Sequence, residues 1–234
     1  MTTEVANQDL APGLERCFLF DAVEDSYEIS GITGRVPEWL RGFYYVNGPA
    51  RFERAGQRSQ HWLGGDGMVC SLHFHEEGIH FTNRFVQTRK LKEEETAGKF
   101  LFRGVGTAFP GDRLRRSLML EPPVNVSVYR FAGSLLAFGE QTLPMDLDPV
   151  TLETRGEFDF HGKLNQVSPF AAHPKFDPAC GHLFNFGISY SVTQPMLNVY
   201  EFDETGCQVQ RSRYPLELPH SNHDFGLSSR IATA

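Results

Sequence analysis

Short runs of apolar or alternating residues recur along the chain from Gly42 and are separated by turn-forming residues. Each run has four to eight residues, which is the usual length of a strand. The pattern predicts strands over residues 43–46, 68–74, 79–86, 124–131, 134–138, 182–186, 196–202 and 207–213. Successive hairpins at this spacing indicate an all-β sandwich, barrel or propeller.

Turn signals between these runs predict hairpins at residues 76–78, 130–134 and 202–207. Asn47-Gly48-Pro49 is expected to end the first strand. Gly64-Gly65-Asp66-Gly67 resembles a phosphate-binding loop, but no Lys-Ser/Thr follows it, so we predict a hairpin turn there. Helical character is confined to residues 90–98, which predict one or two solvated helical turns.

The N-terminal residues 1–30 are polar and poorly periodic, and they are predicted to form a lead-in to a single domain over residues 31–234. At 40% hydrophobic residues, the chain is long enough to bury a core. The 20 Phe residues favour strands and apolar cavities over solvated helices.

Charge and cysteine usage exclude several classes of function. The net charge of -7 argues against a nucleic-acid partner, because no broad face would neutralise phosphates. The four cysteines form no Cys-x-x-Cys pair, which fits neither a zinc ribbon nor a disulfide framework. Neither a signal peptide nor a membrane span is apparent, so we expect a cytoplasmic protein.

Two histidines stand in distinctive settings. His173 lies in Ala-Ala-His-Pro-Lys-Phe-Asp, and His223 lies in His-Ser-Asn-His-Asp-Phe. A neutral imidazole can offer one nitrogen to a metal such as iron while a neighbour holds its other nitrogen. If the fold brings them together, these two side chains form half of a metal site.

Ordinary structural roles are expected for most of the other polar candidates. His73, His75 and His80 fit a solvated strand face better than a copper or zinc site. His61 is expected to hold a turn by hydrogen bonding, and Asp177 to cap the turn after Pro174.

Seven collinear motifs carry a resemblance to a known family. They occupy residues 42–49, 61–68, 83–88, 125–128, 136–140, 171–177 and 220–225. Together they resemble the carotenoid cleavage oxygenases, a family that includes carotenoid and apocarotenoid oxygenases, stilbene dioxygenases and the retinal pigment epithelial membrane protein. The resemblance covers the N-terminal half of that family.

The resemblance implies the N-terminal portion of a seven-bladed β-propeller, with dome loops over the iron-bearing face. It implies that Fe(II) is bound by four histidines, of which His173 and His223 match the first two. Glu140 matches a carboxylate that orients a ligand histidine, which would fix its tautomer. The implied reaction is O2-dependent cleavage of a carbon–carbon double bond in a carotenoid or apocarotenoid, held in a Phe-rich tunnel.

Other functions remain open within and outside the family. A stilbene-cleaving dioxygenase or a retinoid isomerase-like enzyme would use the same fold on another substrate. A β-propeller binding module without catalytic activity would keep its function if His173 or His223 were replaced. The histidine replacements therefore separate the enzymatic hypotheses from the binding-module hypothesis.

One segment has a composition suited to membrane contact. Residues 112–120 combine three arginines with the large apolar side chains of Leu114, Leu118, Met119 and Leu120. A basic and apolar surface of this kind can dock on anionic lipid. Peripheral membrane contact is therefore one hypothesis for this segment, and a partly ordered loop or contacts with the missing half of the family fold are the alternatives.

No other histidine stands in a motif that matches the family's third or fourth ligand, and residues 228–234 diverge from the family pattern. These features predict a truncated chain or fragment whose two-histidine site binds iron weakly. An open propeller would also expose unpaired strand edges. We expect this chain alone to be poorly stable and inactive.

Overall fold

The computed structural model describes residues 22–114, 121–190, 194–218 and 222–228. Within these ranges, the strands are β1 (Asp25–Glu28), β2 (Gly42–Arg51), β3 (Glu53–Arg54), β4 (Gln57–Arg58), β5 (Asp66–Phe74), β6 (Ile79–Phe85), β7 (Ser127–Phe131), β8 (Ser134–Phe138), β9 (Met145–Leu147), β10 (Thr154–Glu157), β11 (Lys175–Phe176), β12 (Leu183–Ser189), β13 (Met196–Phe202) and β14 (Gln208–Pro215). The helices are the 3-10 turn Trp62–Gly64 and α1 (Arg89–Ala97).

The strands form three four-stranded antiparallel sheets and one short hairpin. Their orders are β1-β6-β5-β2, β10-β9-β8-β7 and β11-β12-β13-β14. We refer to them as the first, second and third blades. The all-β prediction is confirmed, and the blades form part of a β-propeller.

Side-chain hydrogen bonds join one edge of each blade to the next. The Asn47 amide on β2 donates to the backbone oxygens of Ser127 (3.0 Å) and Val124 (3.2 Å) at the second blade. The Ser127 hydroxyl in turn donates to the Ala172 carbonyl ahead of β11. β2, β7 and β11 are therefore the neighbouring edges from which the blades radiate.

Apolar side chains fill both spaces between blades. Val69, Leu135 and Leu147 belong to the cluster between the first and second blades. Between the second and third blades the cluster is rich in Phe, and the rings of Phe160 and Phe202 lie 4.0 Å apart. These phenylalanines pack the propeller core, so the aromatic excess reflects blade packing as well as strand composition.

The hairpins predicted at residues 76–78, 130–134 and 202–207 are confirmed as the β5–β6, β7–β8 and β13–β14 connections. Two other turn predictions are wrong. β2 continues through Asn47, Gly48 and Pro49, because an edge strand tolerates Pro beside a register shift. Residues 64–67 contain the end of the 3-10 turn and the start of β5, not a hairpin.

The predicted helix is confirmed in position, but one of its faces is buried rather than solvated. Thr88 caps the N-terminus of α1 through its side chain, and Gly98 ends the helix at φ 63°. Lys90 and Glu94 on α1 are buried, and both contact a buried ionic cluster that includes Arg54 and Asp66. Charge pairing therefore allows a polar helix face to be buried.

The elements that the hydrophobic periodicity did not predict are short strands. β1 lies within the predicted lead-in over residues 1–30 and forms the outer strand of the first blade, hydrogen-bonded to β6. β9, β10 and β11 have two to four residues each, too few to give an alternating pattern.

Among the described residues, no helix is long and apolar enough to cross a membrane.

Candidate metal centre

Glu140, His173 and His223 converge where the second and third blades meet. One ligand atom of each side chain lies within 4.8 Å of the other two, and within the described residues this is the single group of three or more His, Cys, Asp or Glu side chains that meets that condition. The fold therefore brings together the two histidines and the carboxylate selected from the sequence.

Glu140 follows the fully buried strand β8. The intervening Gly139 passes so close to the next segment that an added Cβ would lie 2.8 Å from the Val124 Cα. Glycine permits this approach because it has no side chain. Close packing at Gly139 therefore fixes where the Glu140 carboxyl emerges.

His173 is held by the segment that runs across β12. The Ala171 amide donates to the Phe186 carbonyl at 2.8 Å, and the buried Asn185 amide donates to the Ala171 carbonyl at 2.9 Å. An added Cβ at Gly187 would lie only 2.2 Å from the Pro169 carbonyl oxygen. Buried hydrogen bonds and a glycine contact thus set the position of the His173 backbone.

The two residues after His223 anchor its segment to the third blade. The Asp224 carboxylate lies 2.6 Å from the Lys175 ammonium group. The Phe225 ring packs edge-on against Phe186, with 5.2 Å between ring centroids. The Asp-Phe pair therefore works as an attachment that directs the preceding imidazole toward His173.

The geometry of the three groups fits a metal ion. The Nε2 atoms of His173 and His223 lie 2.9 Å apart. Two nitrogens, each about 2.1 Å from one ion and at right angles, would be separated by about 3.0 Å. The donor set is neutral imidazole with a nearby carboxylate, which suits a borderline metal such as iron.

Glu140 contacts the other nitrogen of His223. Nδ1 of His223 lies 2.6 Å from Oε1 of Glu140. The two groups are not aligned as a hydrogen bond, and this buried carboxylate oxygen has no hydrogen-bond partner among the described residues. An ionised carboxylate can only accept a hydrogen bond, so its proximity favours the tautomer of His223 with the proton on Nδ1. Its Nε2 lone pair then faces the space shared with His173.

Burial shifts the pKa values of Glu140 and His173. It is the main reason that the pKa of Glu140 lies above its usual value, while His223 acts in the opposite direction. The pKa of His173 is lowered, chiefly by burial and then by the charge of His223. A neutral His173 keeps a lone pair on one ring nitrogen, and that is the form that binds a metal.

Other histidines of the chain contact residues outside the metal centre. His61 accepts a hydrogen bond from the Leu63 amide at the 3-10 turn, which confirms its predicted role. The ring of His73 stacks on Phe43, and His182 pairs with Glu201. His75 and His80 both contact Glu28.

Asp177 caps the turn between β11 and β12 by accepting a hydrogen bond from the Ala179 amide at 2.9 Å, in agreement with a capping role. The membrane-contact residues Leu118, Met119 and Leu120 lie outside the described residues, and Leu114 is half-buried.

Several positioning residues were not recognised from the sequence. Lys175 and Phe225 stand inside the two histidine motifs, so their proximity to the ligands was a usable signal. Asn185 and Gly187 lie on β12, far from any motif, and only the crossing of the His173 segment over that strand gives them a role.

Comparisons with known proteins show which proteins this chain resembles. A family model described as retinal pigment epithelial membrane protein matches residues 20–232. The chain is 34% identical over 205 residues to lignostilbene-alpha,beta-dioxygenase isozyme III of Sphingomonas paucimobilis, covering 86% of this chain and 41% of that protein. It is 32% identical over 221 residues to apocarotenoid-15,15'-oxygenase of Synechocystis sp., covering 89% and 44%.

A solved structure of cobalt-substituted Synechocystis apocarotenoid oxygenase superimposes with a TM-score of 0.78 at 30% identity, covering 86% of this chain and 44% of that one. The chain therefore spans less than half the length of these relatives.

Proposed function

The chain belongs to the retinal pigment epithelial membrane protein family, and we propose that it supplies half of the metal centre of an iron(II)-dependent dioxygenase. The observation that carries the proposal is the 2.9 Å approach of two Nε2 atoms, with Glu140 beside the Nδ1 of one of them. The proposed substrate is a carotenoid or apocarotenoid.

Each of the three side chains has a separate task. His173 and His223 present neutral Nε2 lone pairs, and Glu140 holds the proton of His223 on Nδ1 and makes that ring a stronger donor. The bound iron would supply O2 activation, so that both oxygen atoms of O2 add across one double bond and yield two carbonyl products. The resemblance assigns two further histidine ligands to the family, and those have no matching motif in this sequence.

Three observations support an oxygenase over a binding module. The curated relatives named above are oxygenases, and the solved relative accepts cobalt. The two histidines that resemble family ligands also meet in space.

Because lignostilbene dioxygenase matches at 34% identity, cleavage of an aryl-conjugated double bond in a stilbene is the second candidate activity.

Metal binding by the 234-residue chain tests the proposed centre. We expect Co(II) or Fe(II) to bind at one site in anaerobic titration, more weakly than at a four-histidine centre. His173→Ala and His223→Ala should abolish saturable binding, and Glu140→Gln should weaken it about 10- to 100-fold. His182→Ala is the matched control, because His182, which directly precedes β12, also pairs with a glutamate but lies outside the metal centre. Equal affinity in all four variants would contradict the assignment.

The reaction is tested in a chimera that joins residues 20–232 to the remaining portion of the Synechocystis relative. We expect cleavage of an apocarotenoid with one 18O atom from 18O2 in each carbonyl product, and loss of activity in His173→Ala and His223→Ala. Cleavage of a stilbene alone would favour the second activity. A chimera that binds iron, folds and cleaves neither substrate would support the binding module.

A cytoplasmic location remains a proposal, and peripheral membrane contact is also proposed, from the composition of residues 112–120. Flotation with anionic liposomes tests the membrane contact. Deletion of residues 118–120 should reduce flotation if Leu118, Met119 and Leu120 insert, and unchanged flotation would exclude that role.

A further inference from the structure

A second cluster of hydrogen-bonded polar side chains lies on the first blade, separate from the metal centre. The Ser26 Oγ lies 2.8 Å from His80 Nε2, and His80 Nδ1 lies 2.8 Å from Glu28 Oε1. The register of β1 and β6 explains this arrangement. Ser26 is opposite Thr82 and Glu28 is opposite His80, so side chains two residues apart share one face of the sheet.

The order of these contacts fixes the direction of the hydrogen bonds. A carboxylate accepts only, so the Nδ1–H of His80 donates to Glu28. Its Nε2 then carries a lone pair and accepts the hydroxyl proton of Ser26. The hydrogen bond from His80 is also the largest reason that the pKa of Glu28 is lowered, which keeps this carboxylate ionised. A hydroxyl nucleophile, a base and an acid that orients the base are thereby joined in series.

A cavity of about 250 Å³ opens beside Ser26, between the first two blades. Thr82 and Arg84 line it, and the Thr82 hydroxyl lies 3.1 Å from Ser26 Oγ. Phe43 and Val150 give it apolar walls. A cationic guanidinium and a hydroxyl can stabilise negative charge that develops on a carbonyl oxygen, while the apolar walls suit a short acyl chain.

We propose that Ser26, His80 and Glu28 form a second catalytic site, which hydrolyses carboxylic esters with short acyl groups. Ser26 Oγ bonds to the ester carbonyl carbon as its proton passes to His80 Nε2. The carbon–oxygen bond to the alcohol then breaks, and the departing alcohol takes that proton. Water attacks the acyl-serine, gives a proton to His80, and the acid leaves as Ser26 recovers its proton.

The test uses the 234-residue chain and a fluorophosphonate probe, which phosphonylates activated serines. We expect a single adduct on the peptide that contains Ser26, found by mass spectrometry, together with hydrolysis of p-nitrophenyl acetate. Ser26→Ala should remove the adduct. His80→Ala retains the serine and should slow labelling by about 100-fold or more, because general-base assistance contributes that much. Glu28→Gln should slow it to a lesser degree.

His75→Ala is the matched control. His75 contacts the same carboxylate at 3.2 Å, whereas the side chain of Ser26 is hydrogen-bonded to His80 and Thr82, so loss of His75 should leave labelling unchanged. Circular dichroism and melting temperature report whether each variant keeps its fold. Absence of a Ser26 adduct in the folded wild-type chain would overturn the proposal. An adduct that forms equally fast in folded His80→Ala would also overturn it, because the serine would then react without its base.

Discussion

Gly187→Ala tests whether a backbone contact remote from the metal centre positions the ligand His173. Gly187 lies on β12, where the segment carrying His173 crosses the strand. A Cβ added there would lie 2.2 Å from the Pro169 carbonyl oxygen, whereas ordinary contact begins at 3.4 Å. The Pro169 carbonyl must therefore retreat by about 1.2 Å, the difference between those two distances.

Such a displacement has two consequences. Overpacking of a tightly packed core costs about 1–3 kcal/mol, so the free energy of unfolding should fall by that amount. The same movement strains the hydrogen bond from Asn185 to the Ala171 carbonyl, two residues before His173. Since the loss of a supporting contact lowers metal affinity by about 10- to 100-fold, Co(II) binding should weaken within that range.

Urea unfolding and Co(II) titration measure the two effects. Gly48→Ala is the matched control, because Gly48 is also a strand glycine, half-buried where Gly187 is buried, but has open space where a Cβ would lie. That variant should change stability by less than about 0.5 kcal/mol and leave Co(II) affinity unchanged. If Gly187→Ala matches Gly48→Ala in both assays, the proposed positioning of His173 through this contact is refuted.

Three further predictions follow from other parts of the structure. Glu94→Gln should destabilise the fold by about 3–5 kcal/mol in urea unfolding, because it leaves the buried Lys90 and Arg54 with a single carboxylate, that of Asp66. The control is Glu95→Gln, on the exposed side of the helix, which should lower the free energy of unfolding by less than about 1 kcal/mol. Phe225→Ala should weaken Co(II) binding about tenfold by freeing the His223 segment from Phe186, and an unchanged affinity would show that the Asp224–Lys175 pair is sufficient. Backbone amides of Thr151 and Val150 hold the pKa of Asp148 below its usual value, so the stability that Asp148 contributes is present above about pH 4 and is lost as the pH falls through the lowered pKa. Asp148→Asn should therefore flatten the acid side of the plot of unfolding free energy against pH, by less than about 1 kcal/mol. An unaltered plot would refute this role.

Residue pattern was sufficient for most of the strands. β8 and β13 coincide with the predicted ranges 134–138 and 196–202, because alternation and the adjoining turn residues mark both ends. β9, β10 and β11 were not predicted, since two to four residues carry too little pattern and their strand state depends on a neighbouring strand. For the same reason the sequence indicated a turn at Asn47-Gly48-Pro49, where pairing with β5 extends the strand.

Local charge patterns were less informative than apolar ones. Residues 90–98 predict a helix from composition, but a single sequence contains no sign that Lys90 and Glu94 face inward. Their partners, Arg54 and Asp66, lie 24 or more positions from Lys90 and are brought to it by the fold. Whether a charge is solvated or buried is thus decided by long-range packing.

The sequence by itself determined the all-β class and the family resemblance, because both depend on residue types within short windows. Through that resemblance it also selected His173, His223 and Glu140 as the candidate site. The tertiary structure decided how those residues meet. It placed two Nε2 atoms 2.9 Å apart and gave Asn185 and Gly187 their supporting roles. It also aligned Ser26, Glu28 and His80 across two paired strands. Such distances depend on strand register and on blade packing between residues 50 or more positions apart, which local patterns do not encode.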